Sequence, residues 1–382
     1  MIVIADDITG AAEMAGIAFS QGQQVRLLCG RSVCCDSVAA KQTAGVTVIA
    51  TDTRSMTEEE AVAETRHIAL PSSLEGNVGR LLFKKTDSAL RGHVVAELST
   101  LMHLLGYQRA VYLPANPSKG RIIRDGIYYI NGQPIHHTDF SFDPEFPATT
   151  SVLSERFPDA EAHGILMPDA ESQEDIQQVI ADYDDGQTLF AGAADLFEAY
   201  LEVRGQRSYP NHGDGSADPF CFSKLNNQNH PLDPKPLNTL FLCGSTQSKP
   251  LDLGIPVTEM PLDIYDGSTA IASWQEESAT LYAKAGSLMI TIPHHHRTGK
   301  DIAIHLREMT ASLIQHLVAQ RQPLQLIIEG GASAFATLQR LGWSELEMVA
   351  QLAPGIIKTK APNGTFVIMK PGSYPWGSLW DK

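Results

Sequence analysis

Short apolar runs alternate along the chain with polar turns and helical patterns. The first run, Ile2–Ala5, leads into Asp6-Asp7 and then into a helical pattern over residues 11–20 that stops at Gly22. Strand, polar turn and helix in this order form the first half of a βαβ unit. Because the order recurs, the sequence predicts a mainly parallel sheet with helices on both faces.

Two further strand patterns in the first half end in polar segments. Residues 46–50 lead into Thr51-Asp52-Thr53-Arg54, and residues 81–83 lead into Lys84-Lys85-Thr86-Asp87-Ser88. Ligands of open α/β sheets bind outside the carboxyl ends of the strands. We therefore expect these segments and Asp6-Asp7 to meet at one crevice.

A long polar stretch divides the chain. Residues 205–238 are rich in Pro, Gly, Asn, Asp and His and show little periodicity, and a new strand pattern starts at Thr239–Cys243. A compact domain rarely contains so long a structureless loop. We therefore predict two α/β domains, residues 1–235 and 236–382.

Composition and charge exclude several classes of protein. With 382 residues, 43% apolar and 19% charged, the chain is typical of globular proteins of two or three folding units. Its 29 basic and 44 acidic residues give a net charge of −15, which disfavours extended contact with nucleic acid or an anionic membrane. A small anionic ligand remains compatible with this charge if a local cluster of Lys and Arg binds it.

Targeting and cysteine patterns favour a cytoplasmic protein. The apolar runs are far shorter than the roughly 20 residues that a membrane span needs, and no basic residue precedes the first run, as a signal peptide would require. The five cysteines form no CxxC pair, which indicates reduced thiols rather than a disulfide framework or a zinc site.

The segment 84–92 concentrates groups that suit an anionic substrate bearing hydroxyls. Its cations suit a carboxylate or phosphate, and Thr86, Asp87 and Ser88 suit sugar hydroxyls. A solvated loop is the alternative interpretation, but Asp7 and Arg54 at neighbouring strand ends favour a binding site. A carboxylate beside clustered cations is what activation of a hydroxyl on an anionic substrate needs.

A glycine-rich turn in the second half indicates an anion site. Glu329-Gly330-Gly331-Ala332-Ser333 follows a strand pattern at residues 324–328 and precedes a helical pattern at residues 334–341. The glycines allow close backbone approach, and the helix start offers free N–H groups. Gly244-Ser245-Thr246 also follows a strand pattern, but with a single glycine it is a weaker indication of an anion site. Neither segment matches GxxxxGK[ST], and an ordinary tight turn is the alternative.

A series of motifs runs in order over nearly the whole chain. They are Ala5-Asp6-Asp7-Ile8-Thr9-Gly10-Ala11, residues 85–92, 114–121 and 131–134, Pro168-Asp169-Ala170, Phe190-Ala191-Gly192, residues 330–333, and Pro354-Gly355. In this order they resemble the motifs of the four-carbon acid sugar kinases, a family long carried as a domain of unknown function.

The resemblance implies an N-terminal domain that binds a sugar acid, a C-terminal domain that binds ATP, and an active site in the cleft between them. It implies transfer of the γ-phosphoryl group to the 4-hydroxyl of D-threonate, D-erythronate or 3-oxo-tetronate. The implied substrate residues are Asp7, Arg54, Lys85, Thr86, Asp87, Ser88 and Arg91. The implied ATP residues are Ser245, Gly330, Gly331, Ala332, Ser333 and Gly372.

Within this scheme we expect Asp7 or Asp87 to act on the attacking hydroxyl. We expect Arg54 and Lys85 to bind the substrate carboxylate, with Lys84 and Arg91 adding positive charge. Mg²⁺ would neutralise charge between the phosphates, and the sequence does not single out its ligands. A homo-oligomer is compatible with the sequence.

Two departures from the family pattern concern the nucleotide. The chain has Gly330-Gly331-Ala332-Ser333 where the family has Gly-Gly-Glu-Thr, and Pro371 removes a backbone donor that the family pattern retains. They leave open a second function, a sugar-acid-binding regulatory or effector protein without phosphotransfer. A third, an α/β sugar enzyme such as an aldolase or isomerase, would not need the two glycines.

Overall fold

The computed structural model describes residues 1–30, 45–69, 82–143, 145–208, 238–244, 251–293, 300–372, 374 and 376–380. The chain forms two compact units. The first unit comprises Met1–Val25 and Arg31–Phe222, and the second comprises Arg26–Gly30 and Ser223–Lys382. The predicted boundary at residue 235 lies outside the described residues.

The first unit is built on a parallel sheet with the strand order β3-β1-β4-β10-β5-β9. These strands are β1 (Ile2–Ala5), β3 (Val46–Ala50), β4 (Leu82–Lys85), β5 (Arg109–Leu113), β9 (Ile165–Leu166) and β10 (Thr188–Gly192). None of these six strands has an exposed residue, as is typical of strands covered on both faces. This arrangement confirms the α/β class that the alternating pattern predicted.

Helices connect these strands. They are α1 (Ile8–Ser20), α2 (Glu58–Ala69), α3 (Val94–Leu105), α4 (Leu153–Arg156), α5 (Gln173–Tyr183) and α6 (Ala194–Ser208). Helix α1 begins three residues before the predicted start because the Asp7 side chain caps it by accepting from the Gly10 N–H. Its buried alanines, among them Ala11, Ala15 and Ala18, let it pack closely.

A small antiparallel sheet is inserted after β5. Its strands are β6 (Arg121–Arg124), β7 (Ile127–Ile130) and β8 (Gln133–Pro134). Asp125 and Gly126 both have positive φ, 52° and 71°, which fits the tight two-residue turn between β6 and β7. A 3-10 turn, Asp139–Phe142, follows β8.

The second unit contains a mixed sheet of order β12-β13-β11-β14-β17-β16-β15-β2. Its strands are β2 (Val25–Cys29), β11 (Thr239–Cys243), β12 (Val257–Glu259), β13 (Leu288–Thr291), β14 (Gln325–Glu329), β15 (Glu345–Ala353), β16 (Ile356–Lys360) and β17 (Phe366–Lys370). The pairs from β12 to β17 are parallel. The pairs from β17 to β2 are antiparallel, and the alternating pattern did not predict this extension.

The helices of the second unit are α7 (Leu262–Tyr265), α8 (Ala272–Ala285), α9 (Lys300–Gln320) and α10 (Gly331–Leu341). Hairpin turns at Gly355 and Gly364, with φ of 74° and 91°, produce the antiparallel strands β15 to β17. Strand β2 comes from the N-terminal part of the chain and pairs with β15, where Arg26 Nε lies 3.0 Å from Glu345 Oε1. Within the described residues, no helix combines the length and apolar character that a membrane crossing requires.

Candidate functional site

The carboxyl ends of three neighbouring strands carry the polar residues that the sequence singled out. Asp6 and Asp7 follow β1, the 3-10 turn Thr53–Ser55 with Arg54 follows β3, and Thr86 and Asp87 follow β4. Because β1 pairs in parallel with both β3 and β4, all three segments emerge at one edge of the sheet. The structure therefore brings Asp7, Arg54, Lys85 and Asp87 together as the strand-end argument predicted.

Arg54 lies at the centre of this cluster and contacts three carboxylates. Its Nε and Nη2 each lie 2.9 Å from an oxygen of Asp6, in a bidentate pair. Its Nη1 lies 3.1 Å from Asp7 Oδ2 and 3.6 Å from Asp87 Oδ1. Its side chain is 16% exposed, and these carboxylates compensate much of its charge inside the protein. Sequence reasoning named Asp6 only as part of the turn and missed this contact.

Asp7 links the cluster to helix α1. Its Oδ1 accepts from the Gly10 N–H at 2.8 Å, and its Oδ2 accepts from the Thr9 hydroxyl. Burial disfavours the charged carboxylate, but Arg54, Thr9 and Lys85 outweigh burial and hold the Asp7 pKa below its ordinary value. The group is therefore an anion at neutral pH.

Asp87 is held by the loop that it begins. Arg91 Nε and Nη2 donate to its two oxygens at 2.8 and 3.0 Å, and the Ala89 N–H donates at 3.0 Å. Burial opposes ionisation, yet Arg54 and Arg91 lower the Asp87 pKa well below its ordinary value. The loop turns sharply because Leu90 and Gly92 take positive φ, 63° and 94°.

The two lysines of β4 have different partners. Lys85 Nζ lies 2.8 Å from the Thr86 carbonyl and 3.7 Å from Glu13 Oε2, beside Asp7. Lys84 points to the opposite face, as alternate strand residues do, and its Nζ forms a buried pair with Glu97 Oε2 at 2.6 Å. The expectation that Lys84 would meet an anionic ligand is therefore wrong.

The hydroxyls of the segment are placed differently from each other. Thr86 Oγ1 is buried and has no hydrogen-bond partner among the described residues. Ser88 is fixed by two residues of the inserted sheet: Arg121 Nη1 donates to its Oγ, and the Tyr128 hydroxyl donates to its carbonyl. A buried hydroxyl without a partner is available to a ligand hydroxyl.

Sequence reasoning also missed Glu13 and gave Arg121 no role beyond a motif position. Glu13 pairs with Lys85 and Lys119, and it is the only charged residue of the otherwise uncharged helix α1. A single charge in such a helix is a signal that could have identified it.

The glycine-rich turn of the second unit lies between β14 and α10. Helix α10 begins at Gly331. Gly330 occupies the N-cap position, and no side chain caps the helix. Gly330 has φ 105° and ψ 124°, a conformation that favours glycine. The uncapped N–H groups of the first helical turn suit the oxygens of a phosphate.

The other predicted nucleotide residues surround this turn only in part. A Cβ on Gly244, at the end of β11, would lie 2.4 Å from Ser333 Oγ, so Ser333 packs inward against that glycine. Ala332 is exposed, and Gly330, Gly331 and Gly372 are half-buried. Ser245 lies outside the described residues.

A buried ion pair organises the segment after β17. Lys370 Nζ lies 2.7 Å from Glu329 Oε1, with side chains 0% and 1% exposed. The same ammonium donates to the Pro371 carbonyl at 2.9 Å and to the Tyr374 carbonyl. The segment that contains Gly372 is thus anchored through carbonyl groups. The lack of an N–H at Pro371 does not affect these hydrogen bonds.

The turn at Gly330 fits a nucleotide better than a metal ion held by several protein side chains. The turn offers backbone donors and close approach, as a triphosphate requires. The described residues contain no group of three or more metal-ligating side chains. Mg²⁺ bound through phosphates needs only one or two protein carboxylates. The histidines His294-His295-His296 lie outside the described residues.

Comparisons with known proteins by sequence concern the N-terminal part of the chain. Residues 1–158 match the family model described as the sugar-binding N-terminal domain. The chain is 32% identical over 155 residues to the D-threonate kinase of Salmonella typhimurium, covering 41% of this chain and 35% of that one. It is 33% identical over 154 residues to the 3-oxo-tetronate kinase of Brucella melitensis, covering 40% and 34%.

The D-erythronate kinase of Heliobacterium modesticaldum is 28% identical over 156 residues, covering 41% of this chain and 35% of the relative. The matched part thus spans about a third of the length of these relatives. The names of these relatives confirm the resemblance to the four-carbon acid sugar kinases that the motifs predicted. All three relatives are named as kinases.

Solved structures match over nearly the whole chain. A Salmonella typhimurium LT2 protein, described as a candidate tRNA synthase, has a TM-score of 0.73 at 18% identity, covering 99% of this chain and 97% of that one. A Haemophilus influenzae protein of the family DUF1537 has a TM-score of 0.64 at 18% identity, covering 100% and 98%. At these identities the likeness concerns the fold alone.

Proposed function

We propose that this chain, a relative of the four-carbon acid sugar kinases, transfers a phosphoryl group from ATP to the 4-hydroxyl of a four-carbon sugar acid. D-threonate, D-erythronate and 3-oxo-tetronate are the substrates to test. The observation that carries the proposal is the set of carboxylates, Asp6, Asp7 and Asp87, gathered by Arg54 at the carboxyl edge of the sheet. Such a set can accept hydrogen bonds from several substrate hydroxyls.

We assign the attacking hydroxyl to Asp7. Asp87 receives two hydrogen bonds from the Arg91 side chain and two from backbone N–H groups. The Asp7 side chain is somewhat more exposed, 17% against 10%. A carboxylate with a lowered pKa is a weak base. Phosphoryl transfer tolerates this, because its loose transition state needs an oriented hydroxyl more than early removal of the proton.

The remaining predicted substrate residues take supporting roles in this proposal. The Thr86 hydroxyl would pair with a substrate hydroxyl, since it is buried without a partner among the described residues. Arg54 and Arg91 would hold the carboxylates in place, because both already form bidentate contacts with aspartates. Lys85 would add positive charge beside Asp7.

We place the nucleotide at the second unit. The N–H groups at Gly331, Ala332 and Ser333 would bind phosphate oxygens, with Gly372 and Ser245 completing the site. Mg²⁺ would arrive with the nucleotide and reduce the negative charge between its phosphates. This chain's own contribution is a fixed helix start whose donors are already oriented.

An ADP-release assay of the full chain across the three tetronates tests the proposal. We expect ATP-dependent turnover of at least one tetronate. Binding of a tetronate in calorimetry, together with no binding of Mg-ATP at millimolar concentration, would favour the sugar-acid-binding regulatory protein instead. Absence of both tetronate binding and turnover would overturn either function.

A further inference from the structure

The cations that line the candidate sugar-acid site already have carboxylate partners. Arg54 contacts Asp6 and Asp7, Arg91 contacts Asp87 at 2.8 Å and Asp143 at 3.4 Å, and Lys85 lies 3.7 Å from Glu13. A cation bound to an internal carboxylate attracts a second anion weakly. These residues are therefore poor candidates for the substrate carboxylate, although the sequence favoured Arg54 and Lys85.

Arg121 differs from these residues. Its Nη1 donates to the Ser88 hydroxyl, and its guanidinium carbon lies 5.8 Å from the centre of the Phe140 ring. Across the described ranges, no carboxylate lies within ion-pair distance of Arg121. It is half-buried, and a partly desolvated guanidinium without a counter-ion costs free energy that a bound anion would recover.

The backbone around Arg121 is fixed on both sides. The Asn116 N–H donates to the Arg121 carbonyl at 2.8 Å, and the Arg121 N–H donates to the Asn116 carbonyl at 3.1 Å. The Asn116 side chain in turn accepts from the Asp195 N–H at 3.0 Å. The backbone that carries the guanidinium is thus fixed, and the contacts of the side chain with Ser88 and Phe140 restrict the guanidinium itself, which lowers the entropy lost on binding.

The surroundings of Arg121 connect it to the substrate loop. Arg91 also lies 5.8 Å from the Phe140 ring centre, so one aromatic ring contacts both guanidinium groups. The Tyr128 hydroxyl fixes the Ser88 carbonyl. Arg121 is therefore held beside Ser88, one residue from Asp87.

We infer that Arg121 binds the carboxylate of the sugar acid and distinguishes acids from neutral polyols. This inference rests on the proposed function and adds a specificity residue to it. A planar guanidinium matches the two oxygens of a carboxylate, and the Ser88 hydroxyl lies beside it as an additional donor. Arg54 is then a positioning residue for Asp6, Asp7 and Asp87.

The variant Arg121→Met tests the inference, with Arg124→Met as a matched control on the same strand. Arg124 is exposed and pairs with Glu171. We expect calorimetry to show tetronate affinity about 10- to 100-fold weaker for Arg121→Met, from loss of a charged hydrogen-bond pair, and changed by less than about twofold for Arg124→Met. Arg121→Lys keeps the charge without the planar fork and should recover part of the affinity.

A neutral four-carbon polyol separates carboxylate recognition from a structural role. Weakened binding of the tetronate alone supports the inference, whereas equal weakening of tetronate and polyol indicates that Arg121 only supports the loop. Unchanged tetronate affinity in Arg121→Met would overturn the inference while leaving the kinase proposal intact. If the unaltered chain neither binds nor phosphorylates any tetronate, the proposed function itself fails. Should Arg121→Met not fold, Arg121→Lys and Arg121→Gln provide the same comparison.

Discussion

The two candidate sites consist of different chemical groups: side chains in the first unit and mainly backbone groups in the second. In the first unit, charged side chains from several elements are paired with one another around Arg54. In the second unit, the turn at Gly330 offers mainly backbone groups, and its glycines matter for their shape. A site built of side chains depends on residue identity, whereas a site built of backbone depends on conformation.

This difference offers a physical reason for what the comparisons found. Sequence similarity to the tetronate kinases covers about two-fifths of the chain, and the family model ends at residue 158. Similarity of fold extends over 99% of the chain. A backbone site can keep its conformation while residues such as Ala332 and Pro371 change, so its sequence is freer to diverge.

The largest effect is expected at Arg54. The variant Arg54→Met would leave Asp6, Asp7 and Asp87 without their shared cation, and we expect the free energy of unfolding of the first unit to fall by about 3–5 kcal/mol. Urea denaturation measures this change. Arg109→Met, which breaks an exposed pair with Asp185, is the control and should cost no more than about 1 kcal/mol.

The difference in unfolding free energy between the unaltered chain and Arg54→Met should depend on pH. Asp7 and Asp87 have pKa values lowered in the folded chain, so they stabilise it above their unfolded values of about 3.9 and lose this contribution as pH falls further. In Arg54→Met, loss of this cation should raise both pKa values above those of the unaltered chain, although Arg91 and Lys85 remain. The difference in stability should therefore be greatest near neutral pH and narrow as the pH falls through the raised pKa values of the variant. A difference independent of pH would contradict the charge-based account.

The next effect is expected at Asp7. Asparagine caps a helix about as well as aspartate, so Asp7→Asn should keep helix α1 while removing the charge. We expect turnover to fall about 100-fold or more, with a moderate fall in the midpoint of thermal unfolding because the ion pair with Arg54 is lost. Asp182→Asn removes an exposed carboxylate and should leave turnover unchanged. Near-normal turnover of Asp7→Asn would rule out Asp7 as the group that acts on the hydroxyl.

The smallest effects are expected in the second unit, where they test the backbone character of the turn. Gly330→Ala would place a Cβ at φ 105°, and we expect Mg-ATP affinity about 10-fold weaker with tetronate affinity unchanged. Ala332→Ser alters an exposed side chain of the same turn and should change Mg-ATP affinity by less than about twofold. If calorimetry shows equal losses for both variants, side chains matter here as much as conformation.

Much of the first unit could be predicted from its sequence. The order of strand, polar turn and helix placed Asp7, Arg54 and Asp87 at one edge, because parallel strands bring their carboxyl ends together. The pairing within that edge could not be predicted, since it depends on which face each side chain takes. Lys84 and Lys85 are adjacent in sequence, yet one pairs with Glu97 and the other with Glu13.

The remaining gaps concern contacts between distant segments. Arg121 lies 33 residues from Ser88, with which it bonds, and only the inserted sheet brings it there. The antiparallel strands β15 to β17 were likewise not predicted, because alternation of strands and helices says nothing about hairpins at Gly355 and Gly364. Local patterns thus define elements, and tertiary packing defines their partners.

Strand β2 has a consequence for how the chain folds. Its residues Arg26, Leu27 and Leu28 pair with Glu347, Leu346 and Glu345 of β15, so this part of the second sheet joins segments more than 300 residues apart. Contacts of such separation require closure of a very long loop and form slowly. We expect the β2–β15 ladder to form late, after synthesis of β15, and the second unit made from residues 223–382 alone to expose an unpaired strand edge.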